Sequence, residues 1–385
     1  MSLENWLLLL TSLAAVIWPA VAVGAYASYR RCRSLVPERH FETGAKNLTK
    51  LSVVIPARNE EADIENTIRC VLAQPGVEVE VIVINDHSTD RTGEIINRLA
   101  AEDPRVRPLH DPPLKDGWLG KANAMQYGSQ FATGEYIIFT DADITHNAGS
   151  FLASLHEMQD HRLTLLSLMP QFVWKSIWEN AAAPAFLLAT TNFLSGPIHE
   201  PESEDALAIG AFIMVDAEVY RSLGGHEGVK AQMLDDVMLA RWFKSHGQRV
   251  GFRVAPQCLS VRMYSSARAV FYGSIKNCLA VFGENFWLAI PLAFTFAIGG
   301  VSVLSAPFVG LFTWNITLLA LGLFVYFEVW LAVVFASSYM KTDLLKLAAF
   351  VVGAPLLLAA SCVATYQALF YGSVLWRGRA IRVTE

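Results

Sequence analysis

The apolar residues of this chain are spread unevenly, and that unevenness limits what it can fold into. Residues 5–27, from Asn5 to Ala27, form a nearly uncharged run of membrane-spanning length. Arg30, Arg31 and Arg33 follow at once. Three more apolar runs crowd the other end, at residues 287–311, 315–338 and 345–371. Residues 45–265 between them have the mixed composition of a soluble domain large enough for a full core. The N-terminal run lacks a basic start and a small-residue cleavage site, and it is longer than the apolar core of a secretion signal. Residues 1–33 are therefore expected to be a retained transmembrane anchor. The arginines after it place the next domain in the cytoplasm, against the inner or plasma membrane.

Charge and cysteine usage exclude other classes. A net charge of −5 gives no electrostatic case for a nucleic acid partner. The five cysteines, Cys32, Cys70, Cys258, Cys278 and Cys362, are scattered without a CxxC pair. That pattern favours neither a zinc site nor a disulfide framework and suits a reducing compartment.

The soluble stretch alternates strand and helix. Leu51–Pro56 is a short β-branched strand stopped by proline. Ile64, Ile68, Val71 and Leu72 then fall on one helical face. Residues 77–86, "VEVEVIVIND", alternate at first and then run continuously apolar, as a buried parallel strand does. Ser88, Thr89 and Asp90 are candidate caps for a helix through Ile95, Ile96 and Leu99. Val106–Leu109 reads as a third strand, "GKANAMQYGSQFATG" as a helix closing at Gly134, and "EYIIFTDAD" as a further strand. Repeated alternation of this kind predicts an α/β domain with a mostly parallel, Rossmann-like sheet. Ligands in such sheets bind beyond the carboxyl ends of the strands.

Those ends carry the chemistry. They hold Pro56-Ala57-Arg58-Asn59-Glu60, then Asn85-Asp86, then Asp141-Ala142-Asp143, so acidic groups converge on one rim. Neither GxGxxG nor GxxxxGK[ST] is present, which excludes a dinucleotide fingerprint and a P-loop. Asp141 and Asp143, two apart, share a side in extended geometry. Two carboxylates so placed suit Mg2+ or Mn2+, with substrate phosphates completing the shell. Lys121, near a helix start, offers a positive charge to the same phosphates. A second acidic pair, Asp235 and Asp236, precedes a helix bearing Val237, Leu239, Ala240 and Phe243. It reads either as a cap with a first-turn acid or as a general base, Asp236, that deprotonates an attacking hydroxyl.

Five motifs in order, "VVIPARNEE", "VINDHSTDRT", "FTDAD", "GAFIMVDAEVYRSLGGHEGV" and "LDDVMLARWFKSHG", resemble the family 2 inverting glycosyltransferases of GT-A fold. The resemblance covers residues 50–278. "GWLGKANAMQYG", "LLSLMPQFVWKSIWE", "VRMYSSARAVFYGSIKN" and the tail "WRGRAIRV" resemble the carotenoid and hopanoid-associated glycosyltransferases, and ceramide glucosyltransferases more distantly. The resemblance implies that Pro56, Ala57, Arg58, Glu60 and Asp86 hold the nucleotide, a uridine. It implies a metal and diphosphate site at Asp141 and Asp143, with Asp143 the direct ligand, and an acceptor-side loop at Gly210 and Ala211. Asp236 matches the catalytic base, and Asp235 stands where the family has Glu, which keeps the charge.

The implied activity moves a hexose from a UDP-linked nucleotide-sugar donor to the hydroxyl of a membrane lipid acceptor. One departure matters: many processive members carry Q-x-x-R-W after the base, and here the region reads "VRMYSSARAVFYG". Arg262 and Tyr264 are candidates for diphosphate or acceptor contact. A single transfer therefore fits better than polymer synthesis, and a family 2 transferase acting on a polyprenyl phosphate or a growing polysaccharide is the alternative. An inactive membrane scaffold would have no physical need for so many rim carboxylates. Residues 265–286 are amphipathic, with Val270, Phe271, Ser274, Cys278 and Val281 able to share a face, as in a segment lying in the lipid interface. The apolar, aromatic stretch 174–194 is a second candidate for that depth.

The C-terminal membrane segment, residues 287–371, precedes a basic tail, 372–385. Three full spans would put Arg377, Arg379 and Arg382 outside, against the positive-inside rule. Either the tail is an exception or one run is re-entrant, and Gly353-Ala354-Pro355, which breaks the last run, makes that run the suspect. A reporter fused after Glu385 is expected to report the cytoplasm, whereas three complete spans would place it outside.

Overall fold

The structure is a computed structural model. It describes residues 2–31, 33–41, 48–176, 178–180, 183, 198, 205–264, 266–282, 289–337, 359–360, 362–363, 366, 373–376 and 379–382. Two compact units emerge: Cys32–Val173 with Pro197–Arg262, and Met1–Arg31 with Trp174–Gly196 and Met263–Glu385.

The first unit is the α/β domain. Its strands are β1 (Lys50–Ala57), β2 (Glu78–Asn85), β3 (Val106–His110), β4 (Tyr136–Phe139), β5 (Ile144–His146), β6 (Leu165–Met169), β7 (Gln171–Phe172), β8 (Ile213–Asp216), β9 (Val250–Val254) and β10 (Leu259–Val261). Its helices are α1 (Ile64–Leu72), α2 (Thr92–Glu102), α3 (Gly120–Ser129), α4 (Ser150–Asp160), α5 (Ala217–Ser222) and α6 (Asp235–Ser245). Seven strands form the main sheet in the order β3-β2-β1-β4-β8-β6-β9. The pairs β1–β2, β2–β3, β1–β4 and β6–β9 are parallel, and β8 runs antiparallel to both neighbours. The mostly parallel sheet expected from the alternation is present. Strands β6, β8 and β9 give no comparable repeat, because residues 174–212 intervene before the chain returns to the sheet.

Local chemistry explains the first half. β2 is exposed at Glu78, alternates briefly, and is buried throughout from Val81 to Asn85, as both faces become covered. Helix α1 buries Ile64, Thr67, Ile68 and Val71 against the sheet. Asp90, one residue before the N-cap Arg91, braces the entry to α2: its Oδ1 accepts from the Thr92 amide at 3.0 Å and the Thr92 hydroxyl at 2.6 Å. Helix α3 stops at Ser129, five residues before the expected closure at Gly134. The chain must already turn there to enter β4, and the Gly134 amide donates to Ser52 Oγ at 2.8 Å. One core cluster unites Val54, Ile82 and Ile84 with Phe139, Ala124, Leu239 and Phe243. A smaller sheet, β5-β10-β7, sits beside the carboxyl end of β4 because β5 follows Phe139 after a four-residue turn.

In the second unit, two helical segments are long and apolar enough to cross a membrane: Leu3–Ser28 and Ile316–Ala336. The helix Ala289–Phe312 precedes the latter. Leu7, Ala306 and Leu318 are buried together, and Asn315 caps the helix Ile316–Ser337 by accepting from the Leu318 amide at 3.0 Å. In the helix Ala267–Phe282, Val270 and Ile275 are buried and Tyr272 is exposed beneath Arg268, 5.7 Å from its ring centre. The side chains of Cys278 and Val281, Gly353-Ala354-Pro355, and most of 174–194 lie outside the described residues. Ser373–Trp376 and Arg379–Arg382 pair as an antiparallel hairpin.

Helix α3 lies against β1 and β2 at Gly128, where an added Cβ would stand 2.5 Å from Ile84 Cδ1 and 2.8 Å from Val54 Cγ1. Gly128→Val should destabilise the domain by about 1–3 kcal/mol, the usual cost of overpacking. Denaturant unfolding would measure it; an unchanged midpoint would mean that the helix stands off the sheet.

Candidate active site

The ends of β1 and β2 form the first wall. The Asp86 amide donates to Ala57 O at 2.8 Å, so the two strands stay paired up to the point where they diverge. Asp86 is buried, with Arg58 Nη1 at 3.8 Å from one carboxylate oxygen and His87 Nδ1 at 3.0 Å from the other. Pro56 and Glu60 are half-buried at the same rim, and the Glu60 amide donates to Thr92 Oγ1 at 2.8 Å. Asn59 and His87 both have φ of 56°. Such left-handed backbone is uncommon outside glycine and clusters at functional sites. Cross-links hold it here: the Asn59 amide donates to Ser88 Oγ at 3.0 Å, and Asn59 Oδ1 accepts from the Thr89 amide at 2.8 Å.

The acidic pair follows β4. The strand ends at Phe139, so Asp141 and Asp143 sit in a turn rather than in the extended chain expected from their spacing. Tertiary contacts set the turn. The Thr140 hydroxyl donates to Ala211 O at 2.7 Å and lies 3.1 Å from His146 Nε2. The two carboxylates still act on each other: burial, then Asp141, then Glu60 push the Asp143 carboxyl up to about 7. Among the described residues no three His, Cys, Asp or Glu side chains gather as a cation cage. Two crowded carboxylates fit a hard divalent ion that takes its remaining oxygens from a ligand's phosphates.

Lys121 opens the first turn of α3 and points into this acid cluster. Its Nζ stands 2.5 Å from Asp141 Oδ1. Burial disfavours its charge, but Asp141, Asp235 and Asp236 outweigh that and hold its pKa above the ordinary lysine range. The helix beneath it is tied down. Gln126 Oε1 accepts from the His226 amide at 2.7 Å and from the Tyr220 hydroxyl at 3.2 Å, and the Leu119 amide donates to Lys230 O at 2.8 Å. Burial lowers the His226 pKa to about 3, so the ring beside Tyr220 is neutral.

Asp235 and Asp236 lie in the first turn of α6 rather than before it. Asp235 is buried and Asp236 half-buried. Both Asp236 oxygens receive backbone amides, Val237 N at 2.8 Å and Gly210 N at 2.9 Å. Gly210 also faces the other acids: a Cβ there would stand 2.7 Å from Lys121 Nζ and 3.3 Å from Asp141 Oδ2. The Asp236 and Asp141 carboxylates therefore meet around one glycine.

Asp86, Lys121, Asp141, Asp143, Asp235 and Asp236 thus gather at the carboxyl ends of the strands. Arg262 is exposed and follows β10, whose Val261 pairs with Ile144, so the antiparallel register carries Arg262 alongside Asp143. Tyr264 falls in the other unit. Pattern reading missed Thr140, Gln126 and the Gly210 amide, because their contributions are contacts made across the fold and leave no periodic signal.

Residues 52–201 match the family model described as "Glycosyl transferase family 2". The 4,4'-diaponeurosporenoate glycosyltransferase of Staphylococcus aureus (strain USA300) is 28% identical over 240 residues, which cover 60% of this chain and 62% of that protein. The match thus spans less than two thirds of the relative's length. The mannosyltransferase PcManGT from Pyrobaculum calidifontis, solved in complex with GDP-Man and Mn2+, superimposes with a TM-score of 0.54 at 16% identity. That superposition covers 96% of this chain and 99% of the other. Residues 52–201 accordingly match the glycosyl transferase family 2 model, the chain shares the fold of that mannosyltransferase, and it is similar to the diaponeurosporenoate glycosyltransferase.

Proposed function

We propose that the chain is an inverting hexosyltransferase that moves a sugar from a nucleotide sugar, UDP-linked, to the hydroxyl of a membrane lipid. One observation carries this reading: the Asp236 carboxylate and the Asp141–Lys121 pair converge on Gly210, which puts a base and a diphosphate site within one sugar's reach. Arg58, Glu60, Asp86 and the backbone at Pro56 and Ala57 line the nucleoside end. Lys121 neutralises phosphate oxygens. Asp143 and Asp141 would hold Mg2+ or Mn2+, which would supply charge to stabilise the diphosphate leaving group.

Asp236 then takes the proton of the acceptor hydroxyl as that oxygen attacks the anomeric carbon in line. The new glycosidic bond forms as the bond to the diphosphate breaks, and the nucleoside diphosphate departs. The amides of Gly210 and Val237 hold the carboxylate in the aim this attack needs. The apolar helices Leu3–Ser28 and Ile316–Ala336 support a membrane setting, and the arginines after the first support a cytoplasmic domain. The named relative, acting on a carotenoid acid, supports a lipid acceptor of the carotenoid, hopanoid or sphingolipid kind.

Asp236→Asn removes the base and keeps the shape. It should lower transfer by at least about 100-fold, within the usual contribution of general acid–base catalysis, with UDP affinity retained. Near-native turnover would overturn the assignment.

The raised Asp143 pKa has a definite sign. Between about pH 4 and pH 7 the folded, metal-free chain keeps a proton that the unfolded chain has released. Stability in EDTA should therefore fall as pH rises through that window. Asp143→Asn should flatten the slope, read as the melting midpoint across the range; an equal slope in the variant would contradict the environment described for Asp143.

A further inference from the structure

We infer that Lys121 is a counter-ion shared between the empty and loaded site, which makes cation binding depend on the donor diphosphate. The inference rests on the site reading above. Lys121 Nζ already holds Asp141 Oδ1 at 2.5 Å, and Asp141 is one of the two carboxylates available to the cation. An ammonium and a divalent ion thus claim the same group. Without a diphosphate, a cation at Asp141 must break this pair and stand beside an ammonium that has lost it. With a diphosphate present, Lys121 turns to the phosphate oxygens and releases Asp141.

The fold lets only the side chain make that move. Helix α3 is fixed through Gln126 to His226 and Tyr220, and Asn123 is buried and donates to Pro113 O at 3.1 Å. The backbone at Lys121 is therefore held while its four-carbon stem can swing. Gly210 leaves the space in which the ammonium stands, since any side chain there would occupy it. Linkage requires reciprocity: a diphosphate that tightens the cation is itself tightened by the cation to the same degree. A free cation or a free donor alone therefore engages the site weakly, and the pair engages it together.

The test is Mn2+ binding to the full chain in detergent, by equilibrium dialysis with and without saturating UDP. The wild type should bind Mn2+ at least about tenfold more tightly with UDP, the scale of one charge contact near a protein surface. Lys121→Gln should bind Mn2+ alone roughly tenfold more tightly than the wild type and show a smaller gain from UDP. Gly210→Ala keeps every charge and amide but displaces the ammonium from Asp141, and should shift Mn2+ binding in the same direction. Lys50→Gln, which removes a surface pair with Glu80 at the other end of β1, should leave Mn2+ affinity unchanged.

Lys121→Gln binding Mn2+ alone no more tightly than the wild type overturns the inference, as does an equal shift in Lys50→Gln. If Lys121→Gln loses its cooperative melt, Gly210→Ala decides by the same criterion. A wild type that takes Mn2+ equally well with and without UDP overturns the coupling and also the reading that a diphosphate completes the cation's shell, whereas a UDP gain with no change in Lys121→Gln overturns the inference alone. A wild type that takes no Mn2+ even with UDP overturns both.

Discussion

The repulsion among carboxylates at one rim of the sheet governs this domain. Glu60, Asp141, Asp143, Asp235 and Asp236 all act on one another or on Lys121, and the raised pKa of Asp143 records the cost. Such a cluster is tolerable in a folded core only if positive charge meets it. Lys121 supplies part of that charge, and a divalent cation is the natural remainder. The surrounding architecture serves to hold the acids close despite their repulsion.

The means of holding them are mostly backbone. Val237 and Gly210 give Asp236 two amides, the Thr140 hydroxyl fastens the 141–143 turn to Ala211, and β1 stays paired with β2 until Asp86. Residues 210 and 211 therefore touch both ends of the site, one reaching the α6 acid and the other the β4 turn. A short connection with one glycine joins the group placed as base to the group placed at the diphosphate. The neutral His226 and Tyr220 behind α3 belong to the same design, since a fixed helix lets Lys121 move alone.

The long apolar helices meet a different requirement. Leu3–Ser28 and Ile316–Ala336 have no acidic rim to organise. Their Asn315 cap and the buried Leu7, Ala306 and Leu318 show ordinary helix packing. On the function proposed, a lipid acceptor would account for a chain that carries such apolar helices beside an α/β domain.

By itself the sequence determined the elements whose causes are local. Apolar runs marked the long apolar helices apart from the α/β domain. The β-branched strands and the periodicity of Ile64, Ile68 and Val71 marked the first half of the sheet. The acids at three successive strand ends marked its active rim, because parallel topology sends every such end to one side. The tertiary structure decided what depends on distant segments. It ended α3 at Ser129 where Gly134 must bond to Ser52, inserted the antiparallel β8 after a long excursion, and bent Asp141 and Asp143 out of the strand. It also brought Asp236 and Lys121, separated by long stretches of chain, together at Gly210. Periodicity reports neighbours along a strand or helix, whereas contacts across a fold are set by how whole elements pack, and no local pattern encodes them.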